Sequence, residues 1–312
     1  MFLFFIKYVI IPLIDITRLE NNMKKTLLVI AILIITVTAA ATLLVACSNV
    51  NQVNMASMGW LDYERYTYNV YETVGETKNL IGTLTYTFKR IDGDVEINGK
   101  TFNESNGAFV TMNLQIFDGE YKDTTLESTV VFNSTFNPKA SFKKYVCSDN
   151  SLSYTTFIDY STSGKNGSFV YTDGNGQTTE KSFGKSARYD NDSIYTLIRA
   201  SVFSTKNYGL SVYVNDKATC ERRSVSVSMV SNEKKITTDY ENTEFTCTQI
   251  ATTLSSTGTS GTLDVALRSN THFLYFSNTP IKVDGKDIVK PLVEIQEGDY
   301  SYVLASVSIT EE

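Results

Sequence analysis

The sequence predicts a mainly β protein: a large curved antiparallel sheet or half-open barrel with one short mid-chain helix. Three observations carry that prediction. Tyr (19) and Phe (17) are abundant, and Thr, Ser and Val recur throughout, residue types that suit a pleated, half-buried surface. Apolar and polar residues alternate with period two in segment after segment, which puts one face of each strand inside. A single stretch, near residue 194, switches to helical spacing, and only 4 prolines occur.

The first elements belong to a leader. Residues 1–22 read as an upstream extension, because the informative start is Met23-Lys24-Lys25. An apolar run from Leu27 to Ala46 follows and ends Leu44-Val45-Ala46-Cys47, with Ser48 next. This is a short positive region, an apolar region and a small residue before a cleavage point. Leu44-Val45-Ala46-Cys47 resembles the lipobox of bacterial lipoprotein signal peptides. That resemblance implies that 23–46 is removed, that Cys47 carries the lipid, and that the chain is held at a membrane surface on the outer side of the cytoplasmic membrane, or at the outer membrane where the cell has one. An uncleaved anchor over Thr26–Ala46 is the competing reading, since that uncharged run is long enough to span a bilayer. Residues 47–59 are small and polar and read as a tether. Residues 60–309 read as the β domain, one body or two packed halves; a chain of this length supports either.

Strands follow in order. Arg65–Val70 and Gly82–Phe88 alternate cleanly. Asp92-Gly93 and Asn98-Gly99 both read as hairpin turns, because these pairs accept positive φ. Ala108–Phe117 and Leu126–Phe132 are further strands. Ser168–Thr172, Asp173-Gly174-Asn175-Gly176 and Gln177–Phe183 form the clearest hairpin. Then Ile194, Leu197 and Ile198 fall at i, i+3, i+4, preceded by Asp190–Ser193 as cap and early negative charge; this predicts a short helix packed on the sheet. Strands resume at Gly209–Val214, Arg223–Met229, Lys235–Asp239, Glu244–Leu254, Gly261–Leu267, His272–Phe276, Lys290–Ile295 and Tyr300–Ile309.

The order of features from Asp190 to Leu304 carries a second resemblance. Asp190-x-Asp192-Ser193 enters a helix ending Leu197-Ile198-Arg199; a strand pair surrounds Leu210–Val214; Lys234–Asp239 leads into Glu244-Phe245-Thr246-Cys247-Thr248-Gln249-Ile250. Leu274-Tyr275-Phe276-Ser277-Asn278-Thr279-Pro280-Ile281 and Tyr302-Val303-Leu304 follow, and Tyr66–Val70 with Gly82-Thr83-Leu84 fits the opening. The pattern is similar to the exported bacterial family of unknown function catalogued as number 3108. Its members often have a Trp in the segment that here reads Phe273-Leu274-Tyr275-Phe276. The resemblance implies an all-β envelope protein and carries over no catalytic residue.

Charge excludes some partners. The chain has 28 basic and 34 acidic side chains, a net charge of −6. The leader holds Lys7, Arg18, Lys24 and Lys25 against Asp15 and Glu20, so the remainder is more acidic still. Such a surface repels phosphate backbones, which argues against nucleic acid, and it offers no polybasic patch to anionic lipid.

The chemistry-bearing residues are sparse. Beyond Cys47 the cysteines are Cys147, Cys220 and Cys247, an odd count for an exported chain. A Cys220–Cys247 disulfide is one option and three buried thiols the other; the spacings fit no zinc pattern. His272 is the only imidazole, has no Gly-x-Ser-x-Gly elbow beside it, and reads as a partly exposed strand-edge residue. Asp92/Asp94, Asp173/Asn175/Glu180 and Asp190/Asp192 read as turn chemistry, without the register of a calcium loop. No metal, cofactor or catalytic residue is expected. Tyr66, Tyr68, Tyr86, Phe88, Phe169 and Tyr171 alternate on strands and fill a core, or line an apolar groove on a concave sheet face.

The expected function is therefore a membrane-anchored, non-enzymatic β protein that binds an apolar or amphiphilic ligand or an envelope partner. A purely structural or adhesive lipoprotein is the alternative, and a carboxylate-based hydrolase the third. A lined cavity separates the first from the second; two carboxylates facing one another in a cleft mark the third.

Overall fold

A computed structural model of the chain describes residues 59–160, 166–184, 189–201, 207–214, 220–254 and 271–311. The proposed leader, Leu44, Val45, Ala46 and the lipid-bearing Cys47, and the strand expected at Gly261–Leu267 lie outside the described residues.

The fold class is the expected one. Among the described residues fifteen strands form one sheet and a two-stranded hairpin stands beside it. The first half is a meander of eight strands: β1 (Tyr63–Val74), β2 (Thr77–Ile97), β3 (Lys100–Ile116), β4 (Thr124–Phe132), β5 (Pro138–Val146), β6 (Tyr154–Asp159), β7 (Asn166–Asp173) and β8 (Thr178–Gly184). Then come β9 (Tyr189–Asp190), a 3₁₀ turn (Asn191–Ser193) and the helix α1 (Ile194–Ala200). The second half comprises β10 (Tyr208–Val214), β11 (Glu221–Thr237), β12 (Glu244–Leu254), β13 (Thr271–Ser277), the small hairpin β14 (Ile281–Val283) and β15 (Lys286–Ile288), β16 (Leu292–Glu297) and β17 (Tyr300–Ser308). The spatial order is β8-β7-β6-β5-β4-β3-β2-β1-β17-β16-β13-β12-β11-β10-β9. The first and last long strands thus pair at the middle of the sheet, with Glu72 opposite Tyr300 and Arg65 opposite Ser308.

Alternation explains why these segments are strands. In β1 Tyr66, Tyr68 and Val70 are buried while Arg65, Thr67 and Asn69 are half-buried. Leu84, Tyr86 and Phe88 of β2 and Val110, Met112 and Leu114 of β3 continue the same inner face. Burying a side chain of this size contributes about 1.5–3 kcal/mol each, and the cluster runs from β1 through α1 to β17.

Asn98-Gly99 makes the β2–β3 turn, with φ of 51° and 71°, the positive values that a tight primed turn needs. Asp92-Gly93 does not turn the chain. It sits inside β2 at a register shift between Ile91 and Gly93, and the expectation of a turn there is corrected. The extra residue lies on β3, where Ser105 and Asn106 (φ 52°) stand opposite Asp92 alone, and this bulge re-aims the rest of the hairpin. Beside it Gly107 passes so close to the next strand that a Cβ would lie 2.6 Å from the Phe132 carbonyl oxygen. Bent at this point, the arm beyond it packs on the outer face of the sheet: Ile97 and Phe102 cluster with Val131 of β4 and Ala140 of β5. Lys100 at its tip reaches Asp159 on β6, and Glu104 bonds Lys139 at 3.1 Å.

The helix forms where helical spacing predicted it. Asp190 and Ser193 make a reciprocal capping box at its entry. It differs from the expectation in one respect: every residue from Asn191 to Ala200 is buried, not one stripe. The sheet curls around the helix, so its polar side as well as its apolar side meets protein.

The curl is not closed by a strand ladder. β8 and β9 are the edges, yet Phe183 of β8 packs on Tyr213 of β10 at 4.4 Å between ring centroids, and the Tyr213 hydroxyl donates to the Gly184 carbonyl. Side chains, not backbone pairs, join the edges there.

Candidate functional site: the filled interior and the turn rim

The inner face holds three polar constellations, each set by α1 or its entry. The first surrounds Arg199, the last basic residue of the helix. Its Nη1 lies 2.5 Å from Glu64 Oε2 on β1, its Nη2 donates to the Val289 carbonyl at 2.8 Å, and its Nε donates to the Lys290 carbonyl at 3.1 Å. The guanidinium stacks 4.3 Å from the Trp60 ring and 5.6 Å from that of Tyr66. Glu64 also accepts the Tyr66 hydroxyl (2.6 Å) and the Leu61 amide (3.0 Å). Both charged groups are sealed, Glu64 at 0% and Arg199 at 3% exposure, so pairing and hydrogen bonding are what make their burial tolerable.

The second constellation is at the helix entry. Asp190 caps the 3₁₀ turn and accepts the hydroxyls of Ser141 (2.8 Å) and Tyr160 (3.0 Å). Asp192 pairs with Lys143 of β5 at 3.0 Å, both fully buried. Burial and then the neighbouring Asp192 charge push the Asp190 carboxyl up to about 6, against the lowering effect of the two hydroxyls and Lys143. The turn chemistry expected of Asp190/Asp192 is only half of their role.

The third joins α1 to the C-terminal strands. The Tyr195 hydroxyl lies 2.7 Å from His272 Nδ1, and His272 Nε2 lies 3.4 Å from Glu297 Oε1, whose other oxygen accepts the Tyr302 hydroxyl at 3.3 Å. His272 is fully buried on β13, between β12 and β16. The expectation of a partly exposed strand-edge histidine is corrected. The residues following it carry the signal that was missed: His272, Leu274 and Phe276 share one parity, and it is the inward one.

Other sequence candidates fall apart from these. Cys147, Cys220 and Cys247 are free, so the structure does not make the Cys220–Cys247 bond. Cys220 belongs to the small cluster with Tyr160, Phe169 and Tyr213, and Cys247 to the main core. Burial pushes both thiols up to about 12. Asp92 and Asp94 face solvent across the arm and accept from Ser105 and Asn103. Asp173 accepts the Asn175 and Gln177 amides in the β7–β8 turn. Tyr66, Tyr68, Tyr86, Phe88 and Phe169 are buried and Tyr171 is half-buried. Burial raises the phenols of Tyr66 and Tyr68 well above their ordinary range and that of Tyr86 to about 12, so they act as hydrogen-bonding hydroxyls.

Chemically these constellations hold the helix. Asp190 and Asp192 are two neighbouring carboxylates, one with a disturbed pKa, but both lie at 1% exposure or less with their oxygens engaged from inside. The Tyr195–His272–Glu297 chain is likewise sealed. Sequence reasoning missed Lys143, Glu64 and Arg199 as interior residues. Among the described residues no group of three or more His, Cys, Asp or Glu side chains is placed to hold a metal ion, and no helix is long and apolar enough to cross a membrane.

The outer surface has a feature of its own. The turns β1–β2, β3–β4, β5–β6, β7–β8 and β16–β17 share one end of the sheet, away from the end where the described chain enters β1. They are tied together: the Thr73 amide donates to the Asp299 carbonyl (2.8 Å), the Tyr300 hydroxyl donates to Glu72 (3.0 Å), Tyr121 packs on Tyr300 (6.0 Å), and Asn150 donates to the Gly174 carbonyl (2.7 Å).

No family model matches the chain, and no curated protein matches it; the likeness to family number 3108 rests on the residues quoted for it. Among solved structures, 81% of this chain aligns with 99% of a β-barrel-like protein of the domain of unknown function DUF1849 from Brucella abortus, at 9% identity and a TM-score of 0.43. A Bacteroides fragilis protein described as exported and as having a YmcC-like fold aligns over 78% of this chain and 95% of its own, at 11% identity and a TM-score of 0.30. At these scores neither likeness speaks to activity.

Proposed function

We propose that this chain is a non-enzymatic lipoprotein of the cell envelope, held at the membrane through Cys47, that works by binding an envelope protein with its outer surface. One observation carries the reading: α1 and its polar bonds occupy the concave face on which an apolar ligand would have to sit. Ile194, Leu197 and Ile198 are 1%, 6% and 0% exposed there, and Tyr68, Leu84, Phe88 and Leu304 pack the rest at 1% or less. Carriage of an amphiphile inside the sheet would need this helix to leave, together with the buried Arg199–Glu64 and Lys143–Asp192 pairs. Binding therefore falls to the surface.

Two measurements test it. Labelled palmitate is expected to enter the wild-type protein and not the Cys47→Ser variant; equal labelling refutes the anchor. Native mass spectrometry of the protein released from its membrane is expected to show no stoichiometric small molecule; a bound amphiphile of defined mass refutes the filled-interior reading and restores the carrier.

A further inference from the structure

Six large apolar side chains are exposed among the described residues, and five of them lie at the turn end: Val74 (59%), Leu80 (45%), Phe117 (45%), Val146 (37%) and Leu152 (54%). The sixth, Val230, is on β11 in the other half of the sheet. The five sit on the β1–β2, β3–β4 and β5–β6 hairpins, which are neighbours in strand order. Gly119 packs so near β1 that a Cβ there would lie 3.1 Å from the Glu72 carboxylate, so the β1–β2 and β3–β4 turns meet. Scattered exposed hydrophobics need no explanation, whereas grouped ones mark contact surfaces.

The charge around them is mainly acidic. Residues 72–80, 117–123, 144–153, 173 and 298–299 carry Glu72, Glu76, Asp118, Glu120, Asp123, Asp149, Asp173 and Asp299 against the exposed cations Lys78, Lys122 and Lys144. This excludes two occupants. Anionic lipid headgroups are repelled by such a rim, and a second copy of the chain would face its own charge. It selects a third. We propose that this rim is the docking surface for a partner protein, and that the docking segment is cationic and amphipathic, apolar side chains meeting Phe117 and Leu152 and lysines or arginines meeting the carboxylates around them. The proposal rests on the reading that the chain binds an envelope protein. β1 has 12 residues, so the rim stands roughly 40 Å from the end at which the described chain enters β1.

The test uses the mature acylated protein held in phosphatidylcholine nanodiscs, with empty discs as background. Three labelled peptides of one pattern serve as probes: Leu/Lys amphipathic, Leu/Glu amphipathic and Ser/Lys. Only the Leu/Lys peptide is expected to bind. Phe117→Ser with Leu152→Ser should weaken it about tenfold, the scale of losing central apolar contacts. Glu76→Lys with Glu120→Lys should weaken it comparably at low salt and little at high salt, because exposed charges are screened. Val230→Ser with Glu233→Lys, on β11, should leave binding within about twofold of wild type. Failure of the Leu/Lys peptide to bind, equal binding of the Ser/Lys peptide, or indifference to the rim variants overturns the proposal. Capture by phosphatidylglycerol vesicles that the rim variants abolish also overturns it and gives the rim to a membrane. The same peptide comparisons on the full chain free in solution need no lipid, so a failed palmitate or native-mass experiment leaves them intact and the two readings fail separately.

Discussion

Replacing Arg199 with Met removes one charge from a sealed pair and leaves Glu64, at 0% exposure, without its counterion. The same change strips the Val289 and Lys290 carbonyls of their donor and lifts the cation from the Trp60 ring. Breaking one side of a buried pair is worth about 3–5 kcal/mol, and the two lost carbonyl bonds keep the expectation in the upper part of that range. With an m-value of roughly 3 kcal/mol/M for a domain of this size, the urea midpoint should fall by about 1.3–1.7 M. Trp60, the single Trp of the chain, reports the transition by fluorescence, and circular dichroism checks it by a probe that does not depend on the ring's neighbours. Glu64→Leu strands the guanidinium instead and should cost about as much. The double variant Glu64→Leu/Arg199→Met leaves no unpaired charge, and the cycle should return a coupling of roughly 1.5–3 kcal/mol. Single-variant losses under about 1 kcal/mol, or a double loss equal to the sum of the singles, refute the view that this pair fixes the helix inside the sheet.

Three further outcomes follow from the structure. The Asp190 carboxyl is raised to about 6 from an ordinary value near 3.8, so its contribution is full below about 4 and is lost as pH rises through 6. The Asp190 contribution to the unfolding free energy should thus rise on acidification across that window, and Asp190→Asn should remove this gain from the pH profile; identical wild-type and variant slopes would contradict it. Thiol titration should find one fast group, Cys147, which is half-buried, and two that react only on unfolding, Cys220 and Cys247, whose burial pushes them to about 12; a protected pair in the denatured, unreduced protein would mean a disulfide. Gly107→Ala puts a methyl against the Phe132 carbonyl and should lower stability by roughly 1–3 kcal/mol, with faster hydrogen exchange at Ile97–Phe102 than elsewhere in β2 and β3; uniform protection would show that the arm does not depend on that close approach.

How much of the fold and site is legible in the sequence depends on how many faces of a strand are covered. β1 is read by alternation because Tyr66, Tyr68 and Val70 share one parity while Arg65, Thr67 and Asn69 share the other. β5 and β6 are not, and alternation misses both. In β5 the inward parity is Ser141, Lys143 and Tyr145, while Phe142 of the other parity lies under the β2–β3 arm; with both faces partly apolar, period two loses its contrast. Lys143 looks like a surface residue for the same reason, since its partner Asp192 is far along the chain and no local spacing links them. Asp92-Gly93 fails differently: its backbone preference is satisfied opposite a bulge as well as in a turn, and only the pairing of Glu104 with Gly93 decides between them. The helix is legible from three residues and a cap, yet its enclosure is not, because Tyr195, Thr196 and Arg199 look solvent-facing until Tyr86, His272 and Glu64 are placed opposite them.

The pairing of β1 with β17 has a consequence for how the molecule is made. Glu72 and Tyr300 are 228 positions apart. Until the last strand has arrived, β1 and β16 both present bare edges, which is the condition that invites aggregation. Contacts this remote in sequence also form slowly. A copy that lacks β17 keeps the hairpins of the first half but cannot join β1 to β16, and both edges stay open to pairing with other chains.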